Sequence, residues 1–354
     1  MKKILLAGAG GAPTENVVRS LKEAEKKEFL IGIGSEPYDM VISDTDVRYQ
    51  VPYALEKDYK KRLFKIIDKE KPDLAHFQND IEIREISRIR DEIIAKGVKL
   101  YMPSSETVEL CVDKGKSANI WMHEGIKVPK TMIINTEEDL KNAFEQLGDQ
   151  DGSIWLRATV GGGGKGALPT NDYEFAKIWM NRFNGWGTFT AAELLTKDTV
   201  TWLSIWYEGE LVVAQTRKRQ SWNFGNRTLS GVTGITRVGE TCSDEVVNRV
   251  ALDAICSIDK RPHGIYGVDM TYDKNGIPNP TEINISRFFT TVYFFTKAGL
   301  NMPEIFKNIA LYNEFPSLEQ KINPLPNGLL WIRGMDREPM LITQDKIRKE
   351  INLL

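Results

Sequence analysis

Short apolar runs alternate with amphipathic stretches over the first hundred residues of the chain. The apolar run 3–7 leads into a glycine-rich turn and an amphipathic helix that Thr14 is expected to cap. A second apolar run at 29–33 and a helix over about 59–69 repeat the alternation before extended structure resumes at 72–75. This βαβαβ order predicts an α/β domain with a doubly wound parallel sheet.

The remainder of the chain has a different pattern. A capping box at Thr136 opens a helix, and the run 153–158 predicts a strand that leads into the glycine loop 161–166. From residue 193 short β-type runs dominate, which predicts an α+β body with two subdomains. We predict the units 1–110, 111–190, 191–320 and a C-terminal hairpin and tail at 321–354.

The segment 267–284 carries the most informative spacing. Asn275-Gly276 is a strong hairpin signal, and a two-residue loop there places Asp269 opposite Glu282. Opposed carboxylates repel unless a cation lies between them, and Asn284 adds an oxygen on the same face. Because oxygen ligands select hard cations, these three residues predict a Mg²⁺ or Mn²⁺ site. The alternative is a solvent-facing hairpin with scattered acids.

The glycine loop is a second candidate site. Arg157 and Lys165 flank its glycines, and backbone N–H groups and cationic side chains of such a loop can close over phosphates. The loop lacks the Gly-Lys-Ser/Thr of a Walker pattern, and a flexible linker is the alternative. Asp113-Lys114 is either a further phosphate contact or a surface pair near a helix start.

The N-terminal turn also allows a dinucleotide interpretation. Gly8-Ala9-Gly10-Gly11 follows the first apolar run, and Glu36 follows the second as a candidate ribose acid. Pro13 stands where the dinucleotide fingerprint needs its third glycine. An NAD-dependent oxidoreductase is kept as an alternative, and the three histidines, far apart in sequence, receive no role.

Composition narrows the class of protein. The 354 residues include 47 Lys and Arg against 49 Asp and Glu, so the basic excess of a nucleic-acid binder is absent. No apolar run reaches the length that spans a bilayer, so we expect no membrane partner. Three cysteines far apart in sequence predict neither a disulfide framework nor a zinc site and favour a reducing, cytoplasmic location.

Taken in order, these features resemble the ATP-grasp superfamily, within it the branch of the carbamoyl-phosphate synthase large chain and small carboxylate–amine ligases. The resemblance spans roughly residues 1–310 and implies a pre-ATP-grasp domain followed by a two-subdomain ATP-grasp body. It implies ATP and Mg²⁺ as cofactors, with Mn²⁺ as a substitute, and a homodimer. It gives the N-terminal glycines a role in a substrate cleft.

The resemblance also implies roles for individual residues. Phosphate contacts would come from Lys114, from Arg157, and from the mobile glycine loop with Gly162, Gly163, Gly164 and Lys165. The hinge that holds adenine would be Glu193, Leu194 and Leu195, and Asp269, Glu282 and Asn284 match the metal-binding signature. Arg287 would contact a phosphate or a substrate carboxylate, and with Lys165 it is our catalytic candidate.

The sequence departs from the family pattern at two positions. Thr199 or Val200 falls where an acid usually binds the ribose hydroxyls, and Ser286 stands where proline is common. The ribose contact therefore stays open.

The function these features predict is an ATP- and Mg²⁺-dependent ligase. It would activate a small carboxylate as an acyl phosphate and join it to an amine, with no covalent nucleophile on the protein. The alternatives are the NAD-dependent oxidoreductase and a non-catalytic ATP sensor. Information about the substrates is expected in the N-terminal cleft and in the tail near Arg333 and Asp336.

Overall fold

A parallel sheet forms the N-terminal part of the chain, in the computed structural model that describes residues 1–160, 166–231, 234–334 and 338–346. Its strands stand in the order β3-β2-β1-β4, which confirms the predicted doubly wound unit. The strands are β1 (Lys3–Ala7), β2 (Phe29–Gly34), β3 (Val47–Gln50) and β4 (Leu74–His76). The helices are α1 (Ala12–Glu23), α2 (Pro37–Ile42), α3 (Tyr59–Glu70), α4 (Asp80–Arg88), α5 (Arg90–Ala95) and α6 (Ser105–Val112).

The start of α1 differs from the prediction. Gly11 is the residue that precedes the first turn, and Pro13 lies within that turn, where a missing N–H costs nothing. Thr14 is helical, and its hydroxyl donates to the carbonyl of Ala7 at 2.6 Å. Thr14 therefore fastens α1 to the end of β1 and is not its cap.

A small antiparallel sheet follows, with the strand order β5-β8-β6-β7. Thr136 caps α8 in a complete capping box with Asp139, as predicted. The elements are α7 (Lys114–His123), β5 (Thr131–Ile134), α8 (Glu137–Leu147), β6 (Ile154–Ala158), β7 (Leu168–Thr170), α9 (Tyr173–Arg182) and β8 (Phe189–Glu193). An apolar cluster between the sheet and its two helices α8 and α9 stabilises this unit.

The last part of the chain is a larger sheet with the order β13-β12-β9-β10-β11-β14-β15. Its strands are β9 (Thr199–Tyr207), β10 (Glu210–Trp222), β11 (Thr236–Cys242), β12 (Gly264–Tyr272), β13 (Pro278–Ile285), β14 (Leu329–Ile332) and β15 (Met340–Thr343). The helices are α10 (Glu245–Ile258), α11 (Val292–Lys297) and α12 (Met302–Tyr312), and a 3-10 turn covers Gly225–Arg227. The pair β14 and β15 is antiparallel, which confirms the C-terminal hairpin.

Shared apolar clusters join the N-terminal unit to the large sheet. Tyr101 stacks on Phe306 of α12, and its hydroxyl donates to the carbonyl of Trp206 at 2.6 Å. Asn301 donates to the carbonyl of Ser20 on α1 at 2.9 Å. Just after β4, Gln78 accepts from the N–H of Phe288 at 2.9 Å, so the carboxyl end of β4 lies against the segment that follows β13. Over the described ranges, no helix has the length and apolarity that a bilayer span requires.

Candidate functional site

The hairpin of β12 and β13 sets the geometry of the site. The N–H of Asp273 donates to the carbonyl of Ile277 at 2.9 Å, which leaves a three-residue turn of Lys274, Asn275 and Gly276. Gly276 has a φ of +73°, the left-handed conformation that such a turn needs at its last residue. The predicted two-residue loop is therefore one residue too short.

A β-bulge compensates for the longer turn. Met270 pairs with Pro280 and Asp269 pairs with Glu282, so Thr281 is an extra residue on β13. Asp269 and Glu282 therefore lie opposite each other, as predicted. Because β13 is the edge strand of its sheet, the missing N–H of its prolines breaks no ladder with a further strand.

Asp269 is buried, with 8% of its surface exposed, and its carboxylate is held by three side chains. One terminal nitrogen of Arg219 lies 2.8 Å from both carboxylate oxygens, Thr201 donates at 2.5 Å and the Asn284 amide donates at 3.1 Å. Burial alone would raise the pKa of Asp269, but Arg219 and the Thr201 hydroxyl outweigh it and lower the pKa below its ordinary value. The carboxylate stays ionised.

Glu282 has a cation of its own. Lys114 Nζ lies 3.2 Å from Glu282 Oε2, and the Lys114 side chain is only 10% exposed. Asp113 caps α7 by accepting from the N–H groups of Gly115 and Lys116. The interpretation of Lys114 as part of a surface pair is therefore wrong, because its side chain is buried against the hairpin.

Arg287 links the hairpin to the N-terminal unit. Its guanidinium binds both carboxylate oxygens of Asp80, at 2.5 and 3.1 Å, and also donates to the Asn284 amide oxygen. Asp80 lies in the first turn of α4, directly after the cap Asn79. Burial would lower the pKa of Arg287, but Asp80 outweighs it and keeps the guanidinium charged.

Arg157 crosses from the small sheet to the large one. It lies on β6, and its NH2 group donates to the carbonyl of Thr281 at 2.8 Å. The bulge leaves this carbonyl outside the regular ladder and available to Arg157. Burial lowers the pKa of Arg157 and nearby Glu282 opposes that shift, while its Nε is buried without a hydrogen-bond partner among the described residues.

The predicted hinge lies between the two sheets. Glu193 ends β8; its N–H donates to the Lys130 carbonyl at 3.0 Å, and its carboxylate accepts from the Lys130 N–H at 3.0 Å. Leu194 and Leu195 follow in irregular, half-buried chain before β9 begins. Thr196 then binds the carbonyl of Tyr272 at the end of β12, so the hinge segment is fastened beside the hairpin.

Several predicted residues lie outside the described part of the chain. Gly162, Gly163, Gly164 and Lys165 belong to the segment 161–165, and Asp336 belongs to 335–337. The phosphate-binding and linker interpretations of the glycine loop both remain predictions.

The N-terminal glycine turn satisfies its own polar groups. Glu15 accepts from the N–H of Gly10 at 2.7 Å, and Gly11 donates to Gly8 at 3.0 Å. A Cβ on Gly10 would meet the carbonyl of Asp39 at 1.8 Å, so the chain's own backbone is what approaches this glycine. A carboxylate therefore occupies the helix start where a pyrophosphate would bind, which disfavours the dinucleotide interpretation.

Sequence reasoning missed residues that complete the site. Thr201, Arg217 and Arg219 come from the neighbouring strands β9 and β10, and Asp80 comes from α4. The alternation of Arg217 and Arg219 along a strand was the available signal, because residues two apart share one face. Asp80 left no such signal, since only the tertiary fold brings it to Arg287.

The donor set suits a hard cation. Asp269, Glu282 and Asn284 offer carboxylate and amide oxygens from paired strands, and oxygen ligands select Mg²⁺ over softer metals. Within the described part of the chain no group of three or more His, Cys, Asp or Glu side chains is arranged for a metal. A metal here would therefore depend on two carboxylates and one amide oxygen.

The comparisons with known proteins identify the architecture. No protein-family model matches the sequence, and no curated protein matches it significantly. Many solved structures match this chain, and three examples each superpose over 94% of it. The first is the L-amino acid ligase of Bacillus licheniformis (TM-score 0.68, 12% identity, 79% of that chain covered). The second is the N5-carboxyaminoimidazole synthetase of Staphylococcus aureus complexed with ADP (TM-score 0.69, 14% identity, 82% of that chain covered). The third is the biotin carboxylase domain dimer of Hydrogenobacter thermophilus 2-oxoglutarate carboxylase with MgADP, ADP and bicarbonate (TM-score 0.70, 16% identity, 73% of that chain covered). At these identities the similarity shows a shared fold.

Proposed function

We propose, since this chain has the ATP-grasp fold, that it is an ATP- and Mg²⁺-dependent ligase that joins a small carboxylate to an amine. The observation that carries the proposal is the convergence on one hairpin of two opposed carboxylates and two cations from the small-sheet unit. These are Asp269 and Glu282 with Lys114 and Arg157. Neighbours of this fold crystallised with ADP and MgADP support the cofactors.

Lys114 and Arg157 are proposed to hold the phosphates of ATP. Both contact β13 from the small-sheet unit, so a nucleotide between the two sheets would meet both positive charges. Charge-assisted contacts of this kind contribute about 1.5–3 kcal/mol each. Glu193, Leu194 and Leu195 are proposed to hold adenine, because the hinge segment is fastened beside the same hairpin. Lys165 and the glycines beside it stay predicted phosphate contacts.

Asp269, Glu282 and Asn284 would hold the metal. When bound there, Mg²⁺ would neutralise phosphate charge and fix the phosphates in position. The cations Arg219 and Lys114 now offset the two carboxylates, which explains how they lie opposite each other without repulsion. Mn²⁺ is a predicted substitute for Mg²⁺.

The reaction follows from placing charged groups. A substrate carboxylate oxygen attacks the terminal phosphorus of ATP, the bond to ADP breaks, and an acyl phosphate forms. The amine then attacks the acyl carbon, phosphate leaves, and the amine gives up a proton. Arg287, held by Asp80, is proposed to stabilise the acyl phosphate.

Two of the three cysteines are poorly suited to be a covalent nucleophile. Burial raises the pKa of Cys242 to about 11 and that of Cys111 still further, so neither thiol is a ready nucleophile. An acyl phosphate needs no covalent group on the protein.

Glu282→Gln tests the metal site. This variant should keep its fold and lose Mg²⁺-dependent ADP formation by at least a hundredfold, since it removes one of two carboxylates. Glu145→Gln on the exposed face of α8 is the matched control and should keep full activity. Full activity of Glu282→Gln at low Mg²⁺ would contradict the site.

The intermediate tests the reaction class. With Mg·ATP, a panel of small carboxylates and no amine, hydroxylamine should trap a hydroxamate in step with ADP release. Release of AMP and pyrophosphate would contradict transfer of the terminal phosphoryl group. Protection against heat by NAD but not by Mg·ATP would favour the oxidoreductase alternative, and ATP binding with no turnover on any carboxylate would favour the sensor. Membership in the carbamoyl-phosphate synthase branch and the homodimer both stay predictions. Light scattering measures the mass in solution and so checks the homodimer.

A further inference from the structure

Three arginines lie in series beyond the proposed metal position. Arg219 binds Asp269, Arg217 follows it on the same face of β10, and Arg333 comes from the chain directly after β14. The Thr201 hydroxyl accepts from Arg219 at 3.1 Å and from Arg217 at 3.0 Å, so two guanidinium groups meet at one oxygen. Arg333 continues the series, because it donates to the carbonyl of Thr290 while Arg217 donates to the hydroxyl of the adjacent Thr291.

This series carries more positive than negative charge. Among the described residues, Arg219 has Asp269 as its carboxylate, whereas Arg217 and Arg333 have no carboxylate within ion-pair distance. Arg217 is 1% exposed and is held by the Thr201 and Thr291 hydroxyls and by the Phe289 ring, whose centroid lies 4.3 Å away. Burying like charges without partners is unfavourable, so the arrangement calls for an anion.

Two of the three arginines can be reached. The Arg219 side chain is 19% exposed. Arg333 is half-buried, and among the described residues its guanidinium donates only to the carbonyls of Thr290 and Thr236, over 3.3 and 3.4 Å. Arg217 lies behind them as a fixed positive charge. Burial lowers the pKa of Arg333, and the positive charge of Arg19 on α1 lowers it further.

We propose that Arg219 and Arg333, backed by Arg217, form an anion subsite for a carboxylate or phosphate group that one substrate carries in addition to its reacting group. The proposal rests on the ligase function and narrows it. One substrate is then a dicarboxylate, an amino acid or a phosphorylated compound. Its non-reacting anion would lie on the side of Asp269 that faces Arg217, away from Lys114 and Arg157.

Anion titration without nucleotide tests the subsite separately from the ligase function. Succinate and inorganic phosphate are titrated by calorimetry into the full chain at constant ionic strength, with potassium chloride as the blank. Arg333→Gln and Arg219→Gln should each weaken binding at least tenfold, since each removes a charge-assisted contact. Arg333→Lys should retain most of the affinity. Arg237→Gln, at an exposed neighbouring position on β11, is the matched control and should bind like the unaltered chain.

The outcomes separate the two proposals. If Arg333→Gln binds both anions like the unaltered chain, the subsite is overturned whatever the ligase assay gives. If the anions bind through Arg219 and Arg333 but no carboxylate stimulates ADP release, the subsite stands and the ligase function fails. Tighter binding of succinate indicates a carboxylate-bearing substrate, and tighter binding of phosphate indicates a phosphorylated one.

Discussion

Two carboxylates in different parts of the molecule are almost equally buried and are treated in opposite ways. Asp269 of the large sheet is 8% exposed and Glu82 of the N-terminal unit is 9% exposed. Arg219 keeps Asp269 charged, whereas among the described residues the Glu82 carboxylate accepts only from the Tyr59 hydroxyl, at 2.5 Å. Burial raises the pKa of Glu82 to about 7, with Tyr59 opposing the shift, and the pKa of Asp269 is lowered.

The contrast shows what keeps a buried carboxylate charged in this protein. A buried acid without a cation holds its proton up to a higher pH, because burial disfavours the charged form, and Glu82 is such an acid. A buried acid that is kept charged needs cations arranged around it, and the hairpin provides them at both Asp269 and Glu282. At this hairpin, buried charge is maintained where the two sheets meet, which is where a charged substrate and a metal would act.

Replacing each acid by its amide should give the largest difference in stability between the two sites. Asp269→Asn leaves the partly buried Arg219 without its carboxylate and should lower the free energy of unfolding by about 3 kcal/mol. Glu82→Gln keeps an acceptor for Tyr59 and should cost less than about 1 kcal/mol. Urea denaturation at pH 7 measures both, and equal losses would mean that the two environments do not differ as described.

Removing the cation should make Asp269 behave like Glu82. In the unaltered chain the low pKa of Asp269 stabilises the fold above its ordinary pKa, and this stability is lost as the pH falls through the folded value. In Arg219→Gln burial should dominate and raise that pKa, so the loss, about 2–3 kcal/mol at pH 7, should shrink towards pH 4. Unfolding curves across this range check it, and a pH-independent loss would contradict it.

The N-terminal unit also contains a buried histidine, whose pKa burial shifts in the direction opposite to that of Glu82. His76 packs between Phe288 and Phe306, and burial lowers its pKa to about 3. Between pH 7 and 5 the unfolded chain protonates His76 and the folded chain does not, so stability should fall by about 2 kcal/mol. Glu82, whose folded pKa is raised, should add about 2 kcal/mol over the same interval.

The opposite pH dependences that His76 and Glu82 give to the stability should cancel in the unaltered chain. Each should become visible when the other residue is replaced. His76→Gln should become more stable from pH 7 to pH 5, and Glu82→Gln should become less stable. Thermal unfolding at both pH values measures the two slopes. Slopes of the same sign in the two variants would show that one of these groups is not buried as described.

Breaking an exposed ion pair should give the smallest loss of stability. It tests whether burial, and not ion pairing alone, makes the Asp269 site sensitive to substitution. Lys60 and Glu92 are 2.6 Å apart with about half of each side chain exposed. Because water and salt screen such a pair, Lys60→Ala should change the free energy of unfolding by less than about 0.5 kcal/mol. A loss near that of Asp269→Asn would remove burial as the explanation.

The sequence predicted the periodic elements and the two opposed acids, because these depend on local alternation. The Asp269–Glu282 pairing was predicted correctly although the turn is one residue longer than predicted. The extra residue Thr281 in the bulge shifts the register back by one, so the two differences cancel. The partners Arg219, Thr201 and Asp80 could not be predicted, since strand order and domain packing bring them to the site. Local patterns thus located the acids, and long-range contacts determine their charge.

The bulge at Thr281 separates two tasks that a regular hairpin would combine. One is to keep the acids opposite each other, and the other is to present a carbonyl to Arg157 on the small sheet. Deleting Thr281 would restore a continuous ladder with Asp269 still opposite Glu282, yet it would remove the acceptor that Arg157 uses. A single extra residue thus provides the hydrogen bond that connects the small sheet to the large one. The chain can lose this connection without losing either acid.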